Sequence, residues 1–213
     1  GYIVSYIGVA AMIATLGTST LFQGIALNIT KGNAISGFPA EFFAIGNESV
    51  LGIPVPFLIF IGVVILAIIL LQHTPWGLSV YLVGSNKKAS LYSGINVNKV
   101  SLKVYIFSAM LSALAAIIMM TRYNSAKADY GNSYLMQSIA AAVLGGTNIA
   151  GGYGKVIGVV AAVAILQIMS SGMNILGVDR SLIDVLNGVI LIAVLAIDFV
   201  MARPRKKKAT VSE

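Results

Sequence analysis

The stretch VLGGTNIAGGYGKVIGVV, at positions 143–160, contains the glycines and the lysine that a phosphate-binding loop requires. Such a loop has a glycine, four free positions, and then Gly-Lys followed by Ser or Thr, whose hydroxyl holds the metal ion. Counting back from Gly154 and Lys155 places Ile149 where the first glycine should be, and Val156 where the hydroxyl should be. The spacing therefore argues against a nucleotide site, and these glycines need another explanation.

Catalysis inside a membrane would need convergent polar groups, such as Ser with His, two facing aspartates, or a metal with His and acidic ligands. The single histidine, His73, follows an apolar run, where an interfacial position is ordinary. Asp184 and Asp198 are 14 positions apart on one predicted helix, which separates them by about 21 Å. Cysteine is absent. We therefore predict no catalytic residue, no metal site and no cofactor bound by this chain, and an enzyme is the least favoured function.

Neutral polar side chains occur within the apolar runs. They are costly in hydrocarbon and usually face a partner helix or a wet path. Hydrogen bonding between helices is the simpler interpretation of any one of them, whereas a group of uncharged donors and acceptors suits an uncharged, polyhydroxylated solute better than an ion. The residues are Gln23, Asn28, Gln137, Asn148, Gln167, Asn174 and Asn187.

The composition places all of these residues in a membrane protein. Hydrophobic residues make up 58% of the chain, charged residues only 10%, and the mean hydropathy is +0.92, which a soluble domain of this size cannot accommodate. Small residues that allow close helix approach are frequent in the apolar runs. The sequence predicts an all-α, polytopic transmembrane bundle of about six segments, since about 20 apolar residues cross a membrane. The runs are 3–29, 55–71, 104–120, 156–171 and 182–201, with a shorter one at 134–149 that either crosses or re-enters.

The distribution of basic residues predicts the orientation. Lys and Arg concentrate in short cytoplasmic loops of membrane proteins. Positions 82–103, with Lys87, Lys88, Lys99 and Lys103, and the basic tail 203–213 are therefore both assigned to the cytoplasm. An even number of crossings must separate them. The tail motif RPRKKK is interpreted as the anchor of the last helix rather than as a nucleic-acid patch.

Within the predicted cytoplasmic loop, positions 86–93 favour a short helix. Ser85 or Asn86 would serve as its N-cap, and Gly94 would end it. Ala89, Tyr92 and Ser93 share one side of this helix by their i+3 and i+4 spacing. Small residues on that side permit close approach, so the shape suits docking into a groove on another protein.

This loop resembles the inner coupling loop of the ribose-type branch of bacterial ABC importer permeases, the membrane subunits of binding-protein-dependent sugar uptake. The similarity extends over nearly the whole chain, and the order and spacing of its individually weak motifs are specific. In the loop the matching residues are Thr74, Gly77, Tyr81, Gly84, Asn86, Ala89 and SGINV at 93–97. Elsewhere they are ATLGT at 14–18, Gly24, TKG at 30–32, IAAAVLGGT at 139–147, GGYG at 151–154 and NILGV at 174–178.

The resemblance implies a permease in the bacterial plasma membrane with a cytoplasmic C-terminus. It implies cytoplasmic subunits that bind ATP and Mg²⁺, a second permease copy and an extracytoplasmic sugar-binding protein, with membrane lipid around the helices and no nucleic-acid partner. Residues 1–202 would be the C-terminal part of a larger permease domain, containing the coupling loop 82–103, because family members usually have more helices than this chain offers.

The resemblance also implies where the functional residues lie. ATP-driven closure of the partner subunits would move the short helix and open a central path by alternating access. A passive channel or facilitator for small neutral solutes is the alternative function. Contact with the ATPase is assigned to Asn86, Lys87, Lys88, Ala89, Ser93, Gly94 and Ile95, and the translocation path to Gln137, Thr147, Asn148 and Asn174.

Overall fold

A computed structural model describes residues 1–50 and 52–179, together with scattered positions between 182 and 196. Long apolar runs form helices because a helix satisfies its backbone hydrogen bonds within one segment. The predicted all-α membrane bundle is confirmed. The helices are α1 (Ala11–Thr30), α2 (Ala40–Asn47), α3 (Val55–Gln72), α4 (Pro75–Ser85), α5 (Lys87–Tyr92), α6 (Val97–Tyr123), α7 (Asn132–Leu144) and α8 (Val156–Ile175).

Among the described helices, α1, α3, α6 and α8 are long and apolar enough to cross a membrane. The predicted runs 55–71 and 156–171 coincide with α3 and with most of α8. None of the apolar window of α1 or α3 is buried within the chain. Apolar side chains that remain exposed over such lengths face lipid or other subunits.

The first predicted run, 3–29, is not one continuous helix. A π-helical turn, Ile3–Ile7, is ended by Gly8. Gly8 has a φ of 81°, in the left-handed region that glycine tolerates. The chain resumes helical structure only at α1. Hydropathy does not detect this break, because positions 8–10 are as apolar as their surroundings.

The segment predicted as a loop at 82–103 is largely helical. It comprises the end of α4, the whole of α5 and the first two turns of α6. The apolar run at 104–120 underestimates α6, which begins seven residues earlier, because Lys99 and Lys103 lower the hydropathy without opposing helix formation. Asn96 starts α6 by accepting a hydrogen bond from the Lys99 N–H at 3.0 Å through its side-chain oxygen.

The far end of α6, opposite α5, is held by contacts with the N-terminal half of the chain. Strands β1 (Ile35–Ser36) and β4 (Ser125–Ala126) pair antiparallel there, and β2 (Ser49–Val50) pairs with β3 (Ile53–Pro54) before α3. Helix α2 packs closely on α6, since a Cβ added at Gly46 would lie 2.5 Å from the Oγ1 of Thr121. Thr121 is fully buried in this contact.

Helices α7 and α8 form a tightly packed hairpin around a small core of Ala140, Ala141 and Leu166. The backbone just after α7 meets α8 at Gly145 and Gly158, where a Cβ on Gly145 would overlap Val159 and a Cβ on Gly158 would overlap the Gly145 carbonyl. The predicted run 134–149 is shorter as a helix, because α7 ends at Leu144 and glycines follow.

Several predictions fall outside the described residues. These are most of the run 182–201, with Asp184, Asn187 and Asp198, and the basic tail 203–213. The described positions 182, 185, 186, 188–190, 192, 193 and 196 are helical.

Candidate functional site

Helix α5 is delimited at both ends by local hydrogen bonds, as the sequence predicts. The Asn86 side-chain oxygen accepts from the Ala89 N–H at 3.1 Å. At the other end the Ile95 N–H donates to the Ser90 carbonyl at 3.0 Å, and the Gly94 N–H donates to the Leu91 carbonyl at 3.1 Å. This pair of bonds is a Schellman motif, and it requires the left-handed φ of 81° at Gly94. The helix is therefore a defined unit rather than an irregular loop.

The two sides of α5 differ sharply in exposure. Ser90 is 4% exposed and packs toward the protein, with its hydroxyl donating to the Asn86 carbonyl at 2.9 Å. Tyr92 is 89% exposed, and Ala89 and Ser93 on the same side are exposed too. The face predicted to dock is thus open within the described part of the chain.

The surface around α5 is positively charged. Lys87 and Lys88 lie in the first turn of α5 and are exposed, and Lys99 and Lys103 follow at the base of α6. The sequence has no Asp or Glu between Glu48 and Asp129, so no carboxylate of this segment offsets these charges. This end of the molecule favours an anionic or acidic partner.

Three glycines join α4 to the turn between α7 and α8, and we call Gly84, Gly151 and Gly152 the glycine joint. A Cβ added at Gly84 would lie 2.7 Å from the Gly152 nitrogen, and one at Gly151 would lie 2.6 Å from the Gly84 carbonyl oxygen. The Tyr81 hydroxyl donates to the Gly154 carbonyl at 3.0 Å beside this contact. Backbone therefore touches backbone at Gly84, three residues before α5 begins.

The turn at 145–155 owes its glycines to this packing. Gly146, Gly151 and Gly152 all have positive φ, between 78° and 95°, which side chains rarely tolerate. The Asn148 N–H donates to the Tyr153 carbonyl at 3.0 Å, and the Asn148 side-chain oxygen accepts from the Ala150 N–H at 2.9 Å. A Cβ added at Gly151 or Gly152 would overlap the backbone of α4 at Gly84 or Ser85, so the glycines allow the turn to approach α4 closely.

The residues predicted to line a path lie in separate places. Thr147 and Asn148 line an open crevice of about 410 Å³ beside the glycine joint. Gln137 lines another cavity, of about 190 Å³, between α7 and α8. Asn174 lies near the far end of α8, 18 residues from its start, which is about 27 Å along the axis. The described structure does not unite these four side chains, and their role stays a prediction.

Two features were missed by reasoning from the sequence. Gln167 faces the same cavity as Gln137, although only the fold reveals that they share it. One further cavity is lined by Trp76, Ser79, Lys99 and Lys103. From the sequence, these two lysines indicate only the orientation of the chain in the membrane. Among the described residues, no cluster of three or more His, Asp or Glu side chains is placed to hold a metal ion.

The relatives of the chain are transport permeases. Residues 1–195 match the family described as "Branched-chain amino acid transport system / permease component". The ribose import permease protein RbsC of Bacillus subtilis (strain 168) is 39% identical over 202 residues, which cover 94% of this chain and 61% of that protein. The autoinducer 2 import system permease proteins LsrD of Yersinia enterocolitica serotype O:8 / biotype 1B and Escherichia coli (strain K12) are 36% and 37% identical, covering 90% of this chain and 60% of theirs.

The chain thus spans about three-fifths of the length of these relatives. No solved structure gives a significant match. The family match covers nearly all of the described residues, including α5, the glycine joint and the α7–α8 hairpin. The chain belongs to the permease component family of branched-chain amino acid transport systems, within which its similar relatives include ribose and autoinducer 2 import permeases.

Proposed function

We propose that this chain is part of the membrane-spanning permease of an ATP-driven importer for a monosaccharide or similar sugar. The observation that carries the proposal is the glycine joint, which connects the exposed helix α5 to the α7–α8 hairpin through rigid backbone contact. A permease that responds to ATP needs such a connection between its docking helix and its membrane helices. A passive facilitator does not need it.

A neutral solute fits the described helices better than an amino acid. Helices α1, α3, α7 and α8 contain no Asp, Glu, Lys or Arg. A zwitterionic amino acid would need charged or strongly dipolar partners in the membrane, whereas a sugar needs neutral donors and acceptors. Gln137 and Gln167, which share one cavity, supply groups of that kind. The relatives named for ribose and autoinducer 2 support the same class.

The partners follow from the same proposal. Cytoplasmic ATP-binding subunits dock on the exposed side of α5, a second permease copy completes the path, and an extracytoplasmic sugar-binding protein delivers the substrate. The complex lies in the bacterial plasma membrane, with α5 and the C-terminus on the cytoplasmic side. The segment around α5 is rich in lysine and contains no carboxylate. The positive-inside rule therefore favours placing it on the cytoplasmic side.

In the proposed mechanism, α5 acts as a lever between the ATPase and the membrane helices. ATP-driven closure of the ATPase subunits displaces α5 together with the end of α4. Because Gly84 contacts Gly151 and Gly152 directly, the displacement passes to the turn at 145–155 and from there to α7 and α8. Packed backbones transmit such a shift with little loss, since they are not continuously deformable. No covalent chemistry takes place in this chain.

The substitution Gly84→Ala tests this mechanism in the intact transporter, reconstituted with its ATPase and binding protein. The added methyl must displace the Gly152 backbone, so we expect sugar uptake to fall about tenfold or more, as misplacing packed groups by ångströms can do. ATP hydrolysis should persist, because α5 keeps its own caps. The matched control is Gly62→Ala in α3, where a Cβ meets nothing within 4 Å.

Two outcomes would contradict the proposal. Normal uptake per ATP in the Gly84→Ala variant would show that the glycine joint does not couple the two processes. Uptake by the unmodified transporter that survives ATP depletion would favour a facilitator instead.

A further inference from the structure

A cavity of about 430 Å³ lies between α4 and the base of α6, apart from the crevice at the glycine joint. We call it the lysine cavity. Its walls combine basic, aromatic and hydroxyl side chains with the backbone that links α5 to α6. The residues that define it are Trp76, Ser79, Gly94, Ile95, Asn96, Lys99 and Lys103.

The two lysines of this cavity are placed unfavourably unless an anion is present. Lys99 and Lys103 are one turn apart on the same helix face, where like charges repel by about 0.2–0.5 kcal/mol. Both lie in the first two turns of α6, near the positive end of the helix dipole. Within the described residues neither lysine forms an ion pair. An anion between them would relieve both penalties.

The other side chains of the cavity suit a phosphodiester with a hydroxylated headgroup. The Trp76 ring forms an aromatic wall and packs edge-on against Phe107, with the two ring centroids 6.0 Å apart. The Ser79 hydroxyl donates to the Pro75 carbonyl at 2.9 Å, which leaves its lone pairs available to accept a hydrogen bond. The lysines would contact the phosphate, and Ser79 a hydroxyl of the headgroup.

The position of the cavity identifies the source of the phosphate. The apolar part of α6 begins directly after Lys103, so the lysines lie at the depth of the lipid headgroups. Continuing the lysine face by i+3 and i+4 steps leads to Ile106 and Met110, which are 47% and 64% exposed. A basic group followed by an exposed apolar track matches a headgroup and its acyl chain.

We propose that the lysine cavity binds an anionic phospholipid, with the phosphate between Lys99 and Lys103 and an acyl chain along Ile106 and Met110. Basic pockets between helices on the cytoplasmic side bind such headgroups in other membrane proteins. Gly94, Ile95 and Asn96 form one wall of the cavity and also end α5 and begin α6. Bound lipid therefore steadies the link between the docking helix and the longest membrane helix.

Trp76 is the single tryptophan of the sequence and lines the cavity, so its fluorescence reports binding. The permease is reconstituted in nanodiscs that contain brominated phosphatidylglycerol or, at equal mole fraction, brominated phosphatidylcholine. A Trp76→Phe protein supplies the background. We expect the anionic lipid to compete for the site at least tenfold better, as two interfacial lysines imply. The Lys99→Gln/Lys103→Gln variant should lose this preference, whereas Lys31→Gln/Lys127→Gln, at the opposite end, should keep it.

Three results would overturn the assignment. Equal quenching by the two lipids would show that no anion is selected, and an unchanged preference in Lys99→Gln/Lys103→Gln would place the selecting charges elsewhere. Relief of the quenching by inorganic phosphate together with equal lipid quenching would identify a site for free phosphate. An unshifted Trp76 emission maximum before lipid exchange verifies that the variants are folded.

Discussion

At the scale of single residues, α5 depends on two positions with different chemistry. Asn86 ends α4 through its extended backbone and starts α5 by accepting one hydrogen bond from the Ala89 N–H with its side chain. Gly94 ends α5 through its backbone conformation alone. A Cβ added at Gly94 would meet nothing within 4 Å. Glycine is therefore required at this position for its positive φ and not for lack of space. Substituted residues should differ in effect according to how well they tolerate a positive φ.

We expect Gly94→Val to reduce uptake strongly and Gly94→Asn to reduce it much less. A β-branched residue at a φ of 81° costs about 1–2 kcal/mol, whereas asparagine adopts the left-handed region readily. The strain in Gly94→Val would shift the end of α5 and with it the link to α6. Uptake and ATP hydrolysis measured together on the reconstituted transporter test this, and normal values of both in Gly94→Val would contradict the role assigned to α5.

At the scale of elements, the sequence predicts what local chemistry determines. The caps at Asn86 and Gly94 are local, and the apolar runs of α3 and α8 are continuous, so these elements were predicted closely. The predicted start of α6 is wrong because Lys99 and Lys103 lower the local hydropathy, although lysine is compatible with a helix.

The contact of Gly84 with Gly151 joins residues 67 positions apart. No pattern along the chain pairs these two glycines, so only the fold could reveal the joint and the shared cavity of Gln137 and Gln167.

The packing of α2 on α6 gives a prediction at this scale. Gly46→Ala would place a methyl 2.5 Å from the Oγ1 of the buried Thr121, and overpacking of this kind costs about 1–3 kcal/mol. We expect a lower unfolding temperature in detergent. Gly24→Ala in α1 is the matched control, because nothing lies within 4 Å of its added Cβ and alanine favours the helix. Equal unfolding temperatures for the two variants would show that α2 does not depend on this contact.

At the scale of the whole molecule, the path of α7 determines which residues share an end of the bundle. Helix α7 begins just after β4, at the end of α6 remote from α5, and the turn that follows it contacts Gly84 and Ser85 next to α5. This arrangement favours a crossing over re-entry for the short run 134–149. Lys155 then lies at the same end as Lys87 and Lys88, and Lys31 lies at the other.

The sequence contains no cysteine, so cysteines introduced into it can be labelled in intact cells, with the unsubstituted protein as the background, to test this topology. We expect Tyr92→Cys in α5 and Tyr153→Cys in the glycine turn to resist a membrane-impermeant maleimide until the membrane is opened, because both exposed side chains lie at the proposed cytoplasmic end. Asn33→Cys, beside β1, should react at once from outside. Immediate labelling of Tyr153→Cys with protection of Tyr92→Cys would mean that α7 turns back within the membrane, and the glycine joint could not then transmit motion from α5.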